Sequence, residues 1–313
     1  MAGRTPDDAG SMLRFSHAAT AMILSRFAPV APMLFVLLWS SGFIAAKLGL
    51  RYIAPFHFLA LRFALVLLIL LPLAPLLNVR WPRGRLLMHA GIAGLLTQTL
   101  YFVGVFTALG VGMSAGTMAL IAGLQPIVVS VLATFWLPER RSTRQWAGLL
   151  LALLGVLLVV GNKLGSGVLT LGGVLAAVTA LCSISAGTVY QKRFCASVDL
   201  LAASAIQCAV SLAVIAPLAW ATEAARFDPH PAFWLALAWL VLVVSIGAIG
   251  ILLWLLRHGE AGKVASLFFL VPPATTLMAW LMFAEPLTLP MLGGTALAVI
   301  GVWLAVKTAP ARS

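Results

Sequence analysis

Acidic side chains are scarce in this sequence: Asp and Glu together number 8 in 313 residues. None lies in the middle of an apolar run, which excludes a paired-carboxylate active site or a carboxylate proton relay inside those runs. Cysteine is scarcer still. Cys182, Cys195 and Cys208 are an odd number with neither zinc spacing nor a disulfide framework, and two of them sit in apolar runs as small core residues. No H-E-x-x-H pair and no Walker A loop is present, so no metal, no cofactor and no ATP-driven step within this chain is expected. Strict apolar–polar alternation is missing too, and the apolar runs are twice the length of a barrel strand, which excludes a transmembrane β-barrel.

What is abundant is apolar surface. The chain is 62% hydrophobic and 9% charged, with a mean hydropathy of +1.09. Apolar runs of about 20 residues recur, the length that crosses a bilayer as a helix, and in hydrocarbon every backbone polar group must be satisfied internally. The sequence therefore predicts an all-α integral membrane protein whose main partner is the lipid bilayer. Ten spans are read: 32–50, 56–77, 86–107, 114–137, 144–161, 168–190, 200–221, 232–256, 264–284 and 289–306. Residues 1–31 form a cytoplasmic tail in which 12–24 reads as a weak surface helix, not a cleaved signal peptide. Residues 308–313 form a second cytoplasmic tail.

The net charge of +12 does not indicate nucleic acid, because the cations are scattered through short loops. With the N-terminus inside, the cytoplasmic segments hold Arg4, Arg14, Arg26, Arg80, Arg83, Arg85, Arg140, Arg141, Arg144, Lys192, Arg193, Arg257, Lys263, Lys307 and Arg312, which is 15 of the 20. Only Lys47, Arg51, Arg62, Lys163 and Arg226 fall elsewhere. That bias places both termini in the cytoplasm, and a single miscounted span would destroy it.

The chain also repeats itself. A shift of 146 carries Pro126 to Pro272, Ala133 to Ala279, Glu139 to Glu285, Gly148 to Gly294 and Gly155 to Gly301, without a gap from 124–160 to 270–306. A shift of 145 carries Ser40-Ser41-Gly42 and Lys47 to Ser185-Ala186-Gly187 and Lys192. Each copy, 32–162 and 168–307, holds five spans. Five is odd, so the second copy enters the membrane upside down, giving two inverted five-helix repeats with a substrate site expected near the midplane between them.

These residues resemble the drug/metabolite transporter superfamily of the EamA-like type. The resemblance rests on Trp39-Ser40-Ser41-Gly42-Phe43 with Lys47, Ala60-Leu61-Arg62-Phe63, Gln125-Pro126, Pro138-Glu139-Arg140, and the second-copy Pro272 and Ala284-Glu285-Pro286-Leu287. It implies ten helices, a central cavity open to one side at a time, and export of amino acids or related metabolites across a bacterial inner membrane. Import of a vitamin or nucleoside by the same fold is the alternative. The usual Gly before the Glu is Pro138 in one copy and Ala284 in the other.

Candidate substrate contacts are the mid-span groups Trp39, Ser40, Ser41, Arg62, Gln98, Tyr101, Gln125, Pro126, Ser185 and Pro272. Mid-span prolines free backbone carbonyls to line a cavity, or only kink a packed helix. Mid-span Ser and Thr line a pocket, or bond neighbouring helices. Arg62 attracts an anionic or zwitterionic substrate together with Lys47 and Arg51, or caps the carbonyls that end the first helix. Glu139 and Glu285 precede helices, where negative charge is favourable, with Ser142 and Thr288 as caps of the fifth and tenth spans. Gly148, Gly155, Gly293, Gly294 and Gly301 permit close helix approach, within the chain or in a homodimer through the fifth and tenth helices. Gly112-Met113-Ser114-Ala115-Gly116 matches G-x-S-x-G, but that motif needs a strand–turn–helix setting. Ser114 reads as a helix cap, and an intramembrane enzyme built on it is a distant alternative.

Overall fold

Proline and short polar caps start the helices, and the hydrocarbon length sets how far they run. The structure, a computed structural model, describes residues 29–136, 143–165, 169–224, 227–258 and 267–306. The tails, Glu139 and Ser142 lie outside them. Among the described residues there is no strand, only an isolated bridge between Ile53 and Phe227. The helices are α1 (Ala31–Gly49), α2 (Pro55–Leu76), α3 (Arg85–Gly110), α4 (115–136), α5 (Thr143–Gly165), α6 (Leu171–Phe194), α7 (Leu200–Thr222), α8 (231–258), α9 (Phe268–Phe283) and α10 (Leu289–Val306). Eight are long and apolar enough to cross a membrane, and α9 and α10 are shorter apolar helices. Large apolar side chains such as Leu68, Leu76, Trp220 and Leu289 point outward, as a helix bundle in lipid requires.

Start signals match the sequence. Proline occupies the first turn of α1, α2 and α8, and of the α-helical part of α9 (Val271–Phe283) that follows a 3-10 turn, where the missing N–H has no intrahelical partner to lose. Ser114 caps α4 by accepting the Thr117 N–H at 3.3 Å, and Thr170 caps α6 through the Gly173 N–H at 3.1 Å. Thr288 caps α10 as expected, through the Met291 N–H at 3.4 Å.

Three spans are not continuous α-helix, and the break in the fourth is the one its proline predicts. The fourth span is two helices, Ala115–Ala122 and Gln125–Trp136, separated at Gly123-Leu124. Pro126 thus begins a second helix instead of kinking one, because a ring there cannot continue the ladder of the first. The third and eighth spans widen into π-helix at Leu95–Leu100 and Trp239–Ala248. Nothing in the apolar periodicity marks this widening. A shift of 145 superposes the two π segments, and it also carries Pro72 inside α2 to Pro217 inside α7.

The two halves of the chain use the same pairings. α1 packs on α8 and α9, and α6 packs on α3 and α4; α2 packs against α7, and α5 against α10. The α5–α10 contact is the closest, and glycine makes it so. A Cβ on Gly155 would sit 2.5 Å from the Gly294 carbonyl oxygen and 2.6 Å from the Ala298 nitrogen, and Gly301 lies equally tightly against Gly148 and Ala152. These glycines are spent inside one chain. The outer surface of α5 carries leucines instead, Leu150, Leu153, Leu154, Leu157 and Leu158.

Because backbone atoms line that contact, side-chain repacking cannot relieve a Cβ there. Gly155→Val is expected to destabilise the purified protein by about 3 kcal/mol or more, the upper range for overpacking. Gly293→Val, one residue from Gly294 but in open space, is expected to melt like the parent in the same detergent.

Candidate functional site

One end of the bundle is closed by charge. Glu285 follows α9, where Ala284 turns the chain in the left-handed region (φ 51°). Its carboxylate accepts the Lys47 ammonium from α1 at 2.5 Å and the Ala115 N–H of α4 at 3.2 Å. The sequence reading put this negative charge at the start of α10; the structure puts it at the start of α4. The helix chosen differs, the reason for choosing a helix start does not. Beside it the Lys163 ammonium of α5 donates to Ser114 Oγ at 2.6 Å and to Thr117 Oγ1 at 2.7 Å. Lys47 is therefore tied to Glu285 and is not grouped with Arg62 as a free cation cluster. Arg51 lies over the Phe283 ring at 5.0 Å.

Below this end the two broken helices meet. Gly123 is about 12 Å along α4 from Ala115 at helical rise. A Cβ on Gly123 would meet the Pro272 ring at 2.8 Å, so the two breaks touch. Ser40 of α1, fully buried, donates to the Val271 carbonyl at 3.3 Å. Trp39 stacks edge-on with Phe268 at 5.3 Å and packs on Phe35. A shallow open crevice of about 220 Å³, its mouth included, runs between Gly123, Phe269, Pro272 and the α10 residues Ala298, Val299 and Val302. Trp39, Ser40 and Pro272 thus come together, and Pro126 begins the helix just past the break.

Arg62 lies in a second place. It is 5% exposed, on α2 about 10 Å from the helix start. Its Nη2 donates to Ser245 Oγ on the π segment of α8 at 3.1 Å, and its guanidinium covers the Phe102 ring at 4.1 Å. Ser245 is held in turn by the Leu240 carbonyl at 2.8 Å, five residues back, the spacing of π-helix. Tyr101 and Cys208 are close enough to interact electrostatically with Arg62. Nε and Nη1 have no hydrogen-bond partner among the described residues. The first-helix carbonyls that the sequence offered as a structural partner are not its acceptors. A buried cation stripped of its partner costs roughly 3 to 5 kcal/mol, only partly offset by a ring contact worth about 2. Ser41 of α1 also meets this π segment of α8, accepting from Trp239 Nε1 at 2.8 Å.

The remaining candidates have partners of their own or lie on α3. Gln125 donates to Thr188 Oγ1 on α6 at 3.1 Å. Ser185 is buried and spends its hydroxyl on the Leu181 carbonyl of its own helix. Gln98 is half-buried in the π segment of α3. Behind it Gln207 of α7 accepts from Thr97 Oγ1 at 3.4 Å and donates to Gln191 at 3.2 Å, while Thr99 bonds Ser211 at 2.9 Å. Thr97, Ser185 and Thr188 each donate to a carbonyl one turn back, the bond that Ser and Thr in a helix make first.

Two contacts had no sequence signal. Glu223, between α7 and α8, accepts the Phe56 and His57 N–H groups at 2.9 and 3.0 Å and meets His57 Nδ1 at 2.9 Å, capping α2 from the other half of the chain. Trp239 becomes polar in role only through the Ser41 contact.

Comparison with known proteins gives a consistent answer. The family model described as "EamA-like transporter family" matches residues 26–161 and 171–307. The uncharacterized transporter YvbV of Bacillus subtilis is 28% identical over 287 residues, covering 86% of this chain and 88% of that one. Proteins named "Probable amino-acid metabolite efflux pump" from Salmonella typhimurium and Escherichia coli are each 27% identical over 292 residues, covering 90% of this chain and 96% of theirs. A solved crystal structure, 23% identical, superposes with a TM-score of 0.64 over 89% of this chain and 95% of its own, which shows a shared fold.

The Lys47–Glu285 pair is 21% and 14% exposed on its two sides, buried enough for each partner to miss the other. Lys47→Met and Glu285→Gln are each expected to cost about 1–3 kcal/mol, and the double variant less than their sum, in a melting double-mutant cycle. Strict additivity would mean that the contact contributes nothing.

Proposed function

This chain belongs to the EamA-like transporter family, and from that premise we propose that it is a secondary transporter working by alternating access, exporting an amino acid or amino-acid-derived compound across a bacterial inner membrane. The observation that carries the mechanism is the contact of two broken helices, Gly123 of α4 against Pro272 of α9, beneath an end shut by Lys47 and Glu285. Broken helices at the bilayer midplane and twofold-related halves are the shared design of such transporters. The matching pairings of α1 with α8 and α9, and of α6 with α3 and α4, support two repeats of five helices in opposite orientation. With the termini cytoplasmic, as the charge bias reads, the end closed by Glu285 faces outward. In that reading Lys47, Glu285 and the α4 start form the outer closure.

Amino-acid export is supported by the relatives named efflux pumps and by the polar groups that flank the breaks. Import of a vitamin or nucleoside remains the second reading, since one scaffold of this kind serves either direction. An enzyme built on Ser114 draws on a single contact, the Lys163 ammonium. The Thr117 N–H and hydroxyl engage the same Ser114 oxygen, as in a helix cap.

Counterflow in proteoliposomes tests the proposal. Vesicles of the purified protein are preloaded separately with amino acids, nucleosides, vitamins and organic acids, and uptake of each labelled counterpart is followed. Exchange confined to amino acids, reduced at least tenfold in Trp39→Ala or Gln125→Ala and retained in Ser114→Ala, is the expected outcome. Exchange confined to nucleosides or vitamins selects the second reading. No exchange by folded protein would refute transport of these classes.

A further inference from the structure

We infer that Arg62 binds the substrate through a carboxylate group, and that the transported compound is a monocarboxylate with an apolar body. The inference deepens the transporter reading above and rests on it. Arginine carries five N–H donors, and Arg62 spends one on Ser245; the Nε and Nη1 donors find no acceptor among the described residues. The carboxylates described are not candidates for them. Asp199 caps α7, Glu223 caps α2, Glu285 caps α4 and pairs Lys47, and Asp228 lies in the exposed stretch before α8.

The geometry favours a planar anion. Phe102 covers one face of the guanidinium, and the single bond from Nη2 to Ser245 leaves the second Nη2 N–H to form a two-donor edge with either Nε or Nη1, which matches a carboxylate held by two parallel hydrogen bonds. The other half of the chain supplies an internal control. A shift of 145 carries Arg62 to Gln207, which faces the π segment of α3 as Arg62 faces that of α8. There the amide network closes on itself through Thr97 and Gln191. Only the Arg62 side leaves strong donors open.

The charge of the ligand follows from the neighbours. Lys47 and Lys163 are engaged at the closed end, and among the described residues Arg62 is the one buried cation, so one guanidinium is there to pair one carboxylate group. Phe63 and Phe102 flank the guanidinium, which suits an apolar body next to the carboxylate. The open donors have no solvent access in this conformation. A ligand reaches them when α8 moves away from α2, and the π segment is the stretch of α8 built to yield.

The experiment uses the full-length protein, in detergent for binding and in proteoliposomes for flux. The probes are L-leucine and L-phenylalanine, their amides, the corresponding amines without a carboxyl group, and L-glutamate. Acids are expected to raise the melting temperature and to exchange, with amides and amines weaker by roughly tenfold or more, the loss for a missing charged hydrogen bond. Arg62→Gln is expected to abolish that preference and Arg62→Lys to keep part of it. If Arg62→Gln does not fold, the acid-against-amide comparison in the parent and the Arg62→Lys variant decide. Amides equal to acids, or folded Arg62→Gln binding acids like the parent, would overturn the inference, as would a parent that binds no acid. Exchange of amides and acids alike leaves transport standing and removes the carboxylate site. Acids that bind through Arg62 but never exchange keep the site and remove transport.

Discussion

Hydrocarbon offers a helix no hydrophobic reward for leaving lipid, so this bundle must be held by whatever lipid cannot provide. Two things fill that role. The first is backbone contact between α5 and α10, where Gly155, Gly294 and Gly301 allow an approach that any Cβ would block. The second is a small number of polar contacts between helices distant in sequence. Ser40 reaches the Val271 carbonyl, Gln125 reaches Thr188, and Glu223 reaches the start of α2. Apolar residues are plentiful, but many of them, such as Leu68, Leu157 and Leu289, face the lipid they already prefer.

The same constraint explains how the few carboxylates are used. Three of the four described acidic residues, Asp199, Glu223 and Glu285, accept N–H groups at helix starts. At a membrane boundary a helix start exposes several unbonded donors with a partial positive charge, and a carboxylate satisfies both at once. Glu223 and Glu285 do this for helices of the other half of the chain. Capping and closure are therefore one act, and separating the halves at that end means uncapping α2 and α4.

Much of this was legible in the sequence, and the reasons are physical. Span lengths, caps at Ser114 and Thr288, and the glycine pairs follow from local chemistry or from the duplication. The exceptions to the charge bias were more informative than the bias itself. Of the five cations that fell outside the segments read as cytoplasmic, Arg226 is not among the described residues, and each of the other four has a specific contact. Lys47 meets Glu285, Lys163 meets Ser114 and Thr117, Arg62 meets Ser245, and Arg51 lies over Phe283. A cation on the unfavourable side persists only where the fold occupies it. What stayed hidden were the π segments of α3 and α8, because an extra residue per turn leaves an all-apolar pattern unchanged. The partners of Gln125 and Ser185 also stayed hidden, since depth in the membrane is readable from position and helix rotation is not.

Two halves that pair alike would, with identical side chains, give two states of equal energy and a site indifferent to which face it opens. The chain departs from that symmetry where chemistry is at stake. Arg62 and Gln207 occupy corresponding positions against corresponding π segments, yet one is a cation with open donors and the other an amide bonded on both sides. A closed amide network favours keeping α7 against α3. A buried cation lacking an acceptor favours letting α2 and α8 part, or admitting something that supplies the acceptor. The scaffold can thus be symmetric in backbone while the tendency to open resides on one side. An anion bound at Arg62, as inferred above, would supply the acceptor that Nε and Nη1 lack and so tie binding to the contact between α2 and α8.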